Sequence, residues 1–221
     1  MRTVGLCKVE FCVLVLAIAL TFVGLVACSK APTTQLTTAL PTGAKTLDNL
    51  QTAFNGESNA SARYLAFAQK AEAEGYGKVA SLFRAAARAE EIHANNHAAV
   101  IRNLGATPAA DVKTPEVKST AENLQAAIKG ESYERDAMYP EFLKQARADG
   151  NRDAIRTFNF AKEAEAEHAK LYTEASTNLA TWKTTAQPFY VCPSCGYTTS
   201  DLNFNKCPVD FTPREKFIAV S

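Results

Sequence analysis

The sequence predicts a mainly α protein, a four-helix bundle followed by a small C-terminal metal-knuckle domain. Three observations carry this. Between residues 46 and 182, Gly and Pro gather at a few points and long Ala-, Glu-, Lys-, Arg- and Leu-rich stretches lie between them. Two parts of that region repeat each other. Beyond it stand the cysteine motif VCPSCGY, residues 191–197, and a partial second copy, KCPVDF, residues 206–211.

The breaks set the helices. Gly75 and Gly77 divide the first half, Asp149-Gly150-Asn151 divides the second, and Gly105 to Pro115 separates the halves. Four helices are predicted over 46–74, 77–104, 118–148 and 151–181, with short links inside each half and a long crossover between them. Asn49-Leu50-Gln51 with Gly56-Glu57-Ser58 recurs as Asn123-Leu124-Gln125 with Gly130-Glu131-Ser132, an offset of 74; Ala89-Glu90-x-x-His93 recurs as Ala164-Glu165-x-x-His168, an offset of 75. One residue has been gained inside the second copy. Two equivalent hairpins joined by a crossover suit a ferritin-like bundle with approximate two-fold symmetry.

The apolar stripe of each helix carries glutamates where core residues belong. In the second helix Val79, Phe83, Ala86, Glu90, His93, His97, Val100 and Leu104 share one face, and in the fourth Phe158, Ala161, Glu165, His168 and Tyr172 do. Leu124, Ala127, Glu131, Glu134, Met138 and Phe142 line the third, and Leu50, Phe54, Glu57 and Tyr64 the first. Burying several carboxylates in an apolar bundle is prohibitive unless cations neutralise them. A Glu-x-x-His pair puts a carboxylate and an imidazole on one helix face within reach of one metal. Two such pairs, with a Glu from each remaining helix, make the ligand set of di-iron and di-manganese bundles. Glu72, Glu74, Glu91, Glu163 and Glu167 lie off the stripe and read as surface charges. His97, one turn beyond His93, reads as a bundle-end histidine with a structural or solvent role, the alternative being a hydrogen bond near the site, and Trp182 reads as packing at the end of the bundle.

The ends of the chain add an address and a puzzle. Arg2 and Lys8 precede an apolar run from Phe11 to Ala27, which closes in Leu25-Val26-Ala27-Cys28-Ser29. This resembles a bacterial lipobox, which implies cleavage before Cys28, lipidation of that cysteine and export to the cell envelope, with Ser29 pointing to the outer membrane. Residues 1–27 carry two positive charges and one negative, so the chain's net charge of +1 becomes zero once they leave. A neutral chain without a basic face excludes nucleic acid as a partner. Residues 28–45 read as a flexible tether, and the Thr-, Ala- and Pro-rich stretch Ala31 to Thr46, about 16 residues, spans roughly 20–25 Å. Of six cysteines only Cys192, Cys195 and Cys207 then remain, an odd number; with Asp210 they make a four-ligand set.

The segments AFNGES, AEEIHA, IKGESYERDAMYPEF and AEAEHAKLY, followed by FYVCPSCGY and KCPVDFTPREKF, resemble the rubrerythrin family over about residues 46–221. The resemblance implies a ferritin-like di-iron bundle over 46–182 and a rubredoxin-like domain over 187–221. On the family pattern Glu57, Glu90, Glu131 and Glu165 bind the irons and His168 binds one of them. Glu134 and His93 are alternatives for the other, the glutamate when oxidised and the histidine when reduced. Tyr64 and Tyr139 match tyrosines that hydrogen-bond ligand carboxylates. The first-half position matching Glu134 is Ala60, so the asymmetry is written in the repeat.

The activity implied is reduction of hydrogen peroxide to water, with an unidentified electron donor resetting the site. The rubredoxin-like domain relays those electrons, commonly across a head-to-tail homodimer. A lipid anchor adds the membrane as a further contact. Cys192, Cys195 and Cys207 fit the rubredoxin pattern, whereas Asp210 and Phe211 replace a cysteine and a glycine. Two readings of this module stay open: a Cys3Asp site for iron or zinc, or a metal-free module in which Cys192 and Cys195 could pair. Phe211, in a position of positive φ, predicts a knuckle of altered shape. The alternative activity is that of a ferritin-like protein that oxidises or sequesters ferrous iron.

Overall fold

The computed structural model describes residues 43–221, so the predicted signal segment, Cys28 and all but the last three residues of the tether lie outside the described residues. Helices α1 (Ala44–Ala73) and α2 (Gly77–Asn103) form the first hairpin. Helices α3 (Thr120–Tyr133) and α4 (Tyr139–Ala148) are one continuous rod that pairs with α5 (Arg152–Thr177). The helix at 44–73 begins two residues before its predicted start. Ser119 accepts from the Glu122 backbone and Glu122 reaches back, a capping box that starts α3 at Thr120 rather than at 118.

The third predicted helix is not uniformly α. Between α3 and α4, Glu134–Met138 form a π-helical turn. Such a turn is what one inserted residue makes inside an α-helix. The repeat offset is 74 at Glu57/Glu131 and 75 at Tyr64/Tyr139, so the residue gained in the second copy lies between them, where the π turn stands. The wider turn lets Glu131 and Tyr139 keep the stations of Glu57 and Tyr64 and gives Glu134 a place that Ala60 lacks.

Two apolar clusters fill the bundle. Tyr64, Phe67, Leu82, Phe83, Leu124, Tyr172 and Phe189 belong to one, and Leu50, Ile101, Tyr139, Leu143 and Phe158 to the other. Each such side chain stabilises by about 1.5–3 kcal/mol when fully buried. Along α1 the order Leu50, Glu57, Tyr64 runs from one cluster to the other, so the predicted ligands form a polar layer between two dry halves. The crossover 104–119 lies along α1, held by a ladder of amides. Gln51 bonds Thr107 and Ala109, Asn55 accepts from Asp111, and Asn59 bonds Asp111 and Lys113.

After α5 a 3₁₀ turn, Leu179–Trp182, ends the bundle, with Trp182 buried and stacked on Phe189 as expected. The chain then passes α2 so closely that a Cβ on Gly77 would lie 2.6 Å from the Thr184 carbonyl oxygen. The C-terminal domain is a three-stranded antiparallel sheet of β1 (Phe189–Val191), β2 (Thr198–Thr199) and β3 (Ile218–Val220) in the order β2-β1-β3. Among the described residues no helix is long and apolar enough to cross a membrane.

Candidate metal centres

Four helices deliver two donor sets to the polar layer. Oxygen or nitrogen atoms of Glu57, Glu90, His93 and Glu165 lie within 4.8 Å of one another, and so do those of Glu90, Glu131, Glu165 and His168. Glu90 and Glu165 belong to both, as bridging carboxylates would. All six side chains are buried. His93 Nδ1 stands 2.9 Å from Glu90 Oε2 and 3.1 Å from Glu165 Oε1, and His168 Nδ1 stands 2.8 Å from Glu165 Oε2. Glu134 lies outside both sets, at the start of the π turn, so this arrangement has His93 inward and Glu134 back.

The electrostatics ask for cations. Burial, then the charges of Glu134, Glu90 and Glu165, push the Glu57 carboxyl well above its ordinary range. Burial and Glu90 push Glu131 up to about 8, and burial with Glu131 and Glu165 raises Glu134. Glu90 is the exception: despite burial, hydrogen bonds from His168 and His93 hold it at about 2. Burial works against the charged imidazoles, yet the surrounding carboxylates raise both His93 and His168 well above 6.5. Protons are thus drawn into positions where metal ions would put their charge. The buried atoms Glu57 Oε2, Glu90 Oε1, Glu131 Oε2, both Glu165 oxygens and His168 Nδ1 make no well-aligned hydrogen bond, the close approaches of the histidines to Glu165 and Glu90 included. Buried polar atoms rarely go unpaired without a ligand to meet them. The residues fit two metal ions.

Each ligand is aimed from behind. Tyr64 donates to Glu131 Oε1 and Tyr139 to Glu57 Oε1, as the family resemblance implies. Both phenols keep their protons, because burial and then the neighbouring carboxylates raise them well above 10. The histidines are aimed by the C-terminal domain. His93 Nε2 donates to the Cys195 carbonyl oxygen at 3.0 Å. Thr198 Oγ1 donates to the Gly196 carbonyl, so it accepts from His168 Nε2 at 3.1 Å. Each outer nitrogen thereby keeps a proton, and each Nδ1 faces the carboxylates, where a metal would displace its proton. Asn96 Nδ2 adds a bond to the Ser194 carbonyl at 2.8 Å. These partners were not found from the sequence, because a backbone carbonyl and a lone threonine carry no motif.

His97 makes a hydrogen bond near the site and does not face solvent at the bundle's end. It is fully buried, its Nε2 3.2 Å from the Tyr139 hydroxyl and its Nδ1 3.0 Å from Thr157 Oγ1. Burial lowers its pKa to about 3, so the imidazole is neutral. The heptad-like stripe placed it on the core face, but solvent access at that level was misjudged because Tyr139 and Phe158 close over it.

The second knuckle is not misshapen. Gly196 N bonds the Cys192 carbonyl at 3.0 Å and Cys192 N bonds the Tyr197 carbonyl at 2.9 Å. Fifteen residues on, Phe211 N bonds the Cys207 carbonyl at 3.1 Å and Cys207 N bonds the Thr212 carbonyl at 2.7 Å. Gly196 has φ 78° and Phe211 φ 64°. The predicted change of shape is therefore corrected: the backbone keeps its turn, and Phe211 absorbs the strain with its ring 72% exposed, where no neighbour resists it. Cys192, Cys195 and Cys207 are free and buried, and no Cys192–Cys195 bridge is present. Cys192, Cys195, Cys207 and Asp210 place their donor atoms within 4.8 Å of one another. Thr212 anchors the carboxylate, its N–H on Oδ1 at 3.0 Å and its hydroxyl on Oδ2 at 2.8 Å. Hydrogen bonds from Cys195 and Cys207 favour the Cys192 thiolate and lower its pKa, at the expense of both donors. Cys192 Sγ lies 3.5 Å from Asp210 Oδ1 and Cys195 Sγ 3.5 Å from Cys207 Sγ, a spacing of donors that suits one metal ion.

Known proteins share these features. A family model for rubrerythrin matches residues 48–176. Rubrerythrin-2 of Clostridium acetobutylicum is 40% identical over 185 residues, 80% of this chain and 97% of the relative. Nigerythrin of Nitratidesulfovibrio vulgaris is 38% identical over 177 residues, 79% of this chain and 86% of the relative. The solved structure of fully reduced, all-ferrous nigerythrin superposes with a TM-score of 0.74 at 36% identity, over 85% of this chain and 91% of that one. The chain belongs to the rubrerythrin family, and its two buried donor sets, with a rubredoxin-like knuckle beside them, are those of a di-iron oxidoreductase of that family.

Proposed function

We propose that this protein reduces hydrogen peroxide to water at its di-iron centre, as an exported, lipid-anchored member of its family. The observation that carries the reading is the pairing of two donor sets through Glu90 and Glu165 with a further carboxylate, Glu134, held in reserve. Two ferrous ions bound there supply the two electrons that, with two protons, cleave the oxygen–oxygen bond of one peroxide into two waters.

The chain's own residues do the rest. Glu57, Glu90, Glu131, Glu165 and His168 hold the metals and shield the change in charge with four carboxylates. His93 and Glu134 serve one metal position alternately, the π turn giving Glu134 its approach. Tyr64 and Tyr139 fix one oxygen each of Glu131 and Glu57, leaving the other free for metal. The apolar clusters on either side keep bulk water from competing with the oxidant. Electrons return through Cys192, Cys195, Cys207 and Asp210, holding iron; zinc there would leave the domain only its structural role. Cys195 joins the two centres, since its carbonyl meets His93. Here the contact is made within one chain, which supports a relay inside a single subunit beside the cross-subunit relay expected of a homodimer. The electron donor is unidentified and must act in the compartment that the lipobox-like segment 25–29 assigns, with Cys28 as the lipid-bearing residue.

Glu134→Ala tests the reading. Iron-loaded protein, reduced without oxygen, is mixed separately with peroxide and with oxygen while iron absorption is followed. The parent should be oxidised much faster by peroxide, and the variant should lose that preference by about tenfold or more in rate. Equal rates with both oxidants in the parent would replace this reading with ferrous iron oxidation.

A further inference from the structure

The two halves of the centre are built alike up to their tyrosines and differently behind them. Tyr64 donates to Glu131 and Tyr139 donates to Glu57. The residue behind Tyr139 is His97; the residue at the matching place in the second copy, 75 positions on, is Tyr172. Tyr172 packs its ring 5.5 Å from that of Tyr64, but its buried hydroxyl has no hydrogen-bond partner. His97 instead joins Tyr139 to Thr157, which lies on α5 and is itself buried.

The direction of every bond in this chain is settled by its end. As a metal ligand Glu57 is a carboxylate and can only accept, so the Tyr139 hydroxyl must donate to it. The Tyr139 oxygen then accepts from His97 Nε2–H at 3.2 Å. A neutral imidazole has one N–H, so Nδ1 carries a lone pair and accepts the Thr157 hydroxyl at 3.0 Å. Thr157, His97 and Tyr139 thus form a one-way series of donors ending on Glu57 Oε1, while Oε2 has no hydrogen-bond partner and Glu57 belongs to the donor set that includes His93. The half served by Tyr64 has no histidine and threonine behind its phenol; only the Arg63 guanidinium, from the same helix, stands beside the Tyr64 hydroxyl.

We propose that His97 is a positioning residue for Glu57. It locks the Tyr139 hydroxyl in its donating orientation, so that Glu57 stays in place as a ligand while the opposite position changes hands between His93 and Glu134. The metal that is held by alternating ligands needs one carboxylate that does not move, and the donor series sits on that half alone. This rests on the reading of Glu57 as a ligand.

The test is an anaerobic ferrous titration of the metal-free full chain. Ions in the bundle are separated from those on the knuckle by their lack of thiolate-to-metal absorption. In the parent, two ions bind to the bundle; fewer than two would overturn the ligand reading itself. With His97→Leu, which keeps the bulk and removes the donor, one of the two dissociation constants should rise about five- to tenfold, the size of a lost neutral hydrogen bond, and the other should not change. His97→Gln, whose amide N–H can stand where Nε2–H stood, should restore it to within about twofold. In a Tyr139→Phe background His97→Leu should cost nothing further, because the hydroxyl it aims is gone. An unchanged constant, an equal loss at both ions, or the same loss in the Tyr139→Phe background would reduce His97 to a packing residue and end the proposal. If His97→Leu does not fold, Thr157→Val carries the test: it should weaken the same ion alone by a few-fold, and no change would overturn the series.

Discussion

His93 donates from Nε2 to the carbonyl oxygen of Cys195 at 3.0 Å, and this bond joins a ligand of the bundle to a ligand of the knuckle without an intervening side chain. The approach is possible because the next residue is Gly196. A Cβ there would lie 2.2 Å from His93 Nε2, and the φ of 78° is itself one that side chains avoid.

Gly196→Ala should therefore push the knuckle from α2 while leaving the helices intact. The strained φ alone costs about 1 kcal/mol or more. Reduced, iron-loaded variant mixed with peroxide should still oxidise its di-iron centre, within a few-fold of the parent's rate, because His93 loses only the carbonyl that aims it. Its knuckle iron, followed by thiolate absorption, should oxidise at least tenfold more slowly. Equal rates for the knuckle iron in parent and variant would show that electrons take another path.

Asp210 gives the knuckle one oxygen donor among three sulfurs. A carboxylate is harder than a thiolate and favours ferric over ferrous iron. Asp210→Cys should raise the reduction potential of knuckle iron and strengthen its thiolate-to-iron bands, read by spectroelectrochemistry. The backbone is ready for the change, since the turn at 207–212 already matches that at 192–197 bond for bond. The Thr212 hydroxyl loses its acceptor, a cost of about 1 kcal/mol at a half-buried site.

Phe211 keeps a φ of 64° with a largely exposed ring. Phe211→Gly removes the left-handed penalty and little packing, at the expense of a more flexible unfolded chain. The net gain should be up to about 1 kcal/mol in thermal unfolding of the metal-loaded protein. A loss of stability would mean that the ring packs in solution against something that this chain does not supply.

The bundle and its ligands were legible because a carboxylate in an apolar stripe is a contradiction that only a cation resolves, and the repeat states it twice. The same arithmetic held the π turn: offsets of 74 at Glu131 and 75 at Tyr139 bracket the inserted residue, although a count of offsets does not say whether a helix absorbs an insertion as a π turn or a loop. The knuckle was misread at Phe211 because residue type gives a conformational preference, while the paired bonds of Cys207 with Phe211 and Thr212 over-determine the turn. Partners from other segments left no trace. Nothing in the spacing of Thr157 or Thr198 says that one meets His97 and the other His168.

The metal-free protein should lose stability as pH rises. Glu131 is raised to about 8 from 4.5, and Glu57, Glu134, His93 and His168 are also raised by folding. A group whose folded pKa lies above its unfolded one contributes most below the unfolded value and loses that contribution as pH climbs through the folded one. For Glu131 the loss begins near pH 4.5 and is complete just above pH 8; the histidines' losses begin near 6.5. Glu90, held at about 2, acts oppositely, and its contribution disappears only as pH falls below 4.5. Between pH 5 and 8.5 the metal-free protein should therefore show a falling Tm. Metal binding releases these protons and supplies the missing charge, so the iron-loaded protein should show a flat or rising Tm over the same range. Calorimetry on both forms checks this. Parallel pH profiles would mean that the buried carboxylates are neutralised by something other than bound metal.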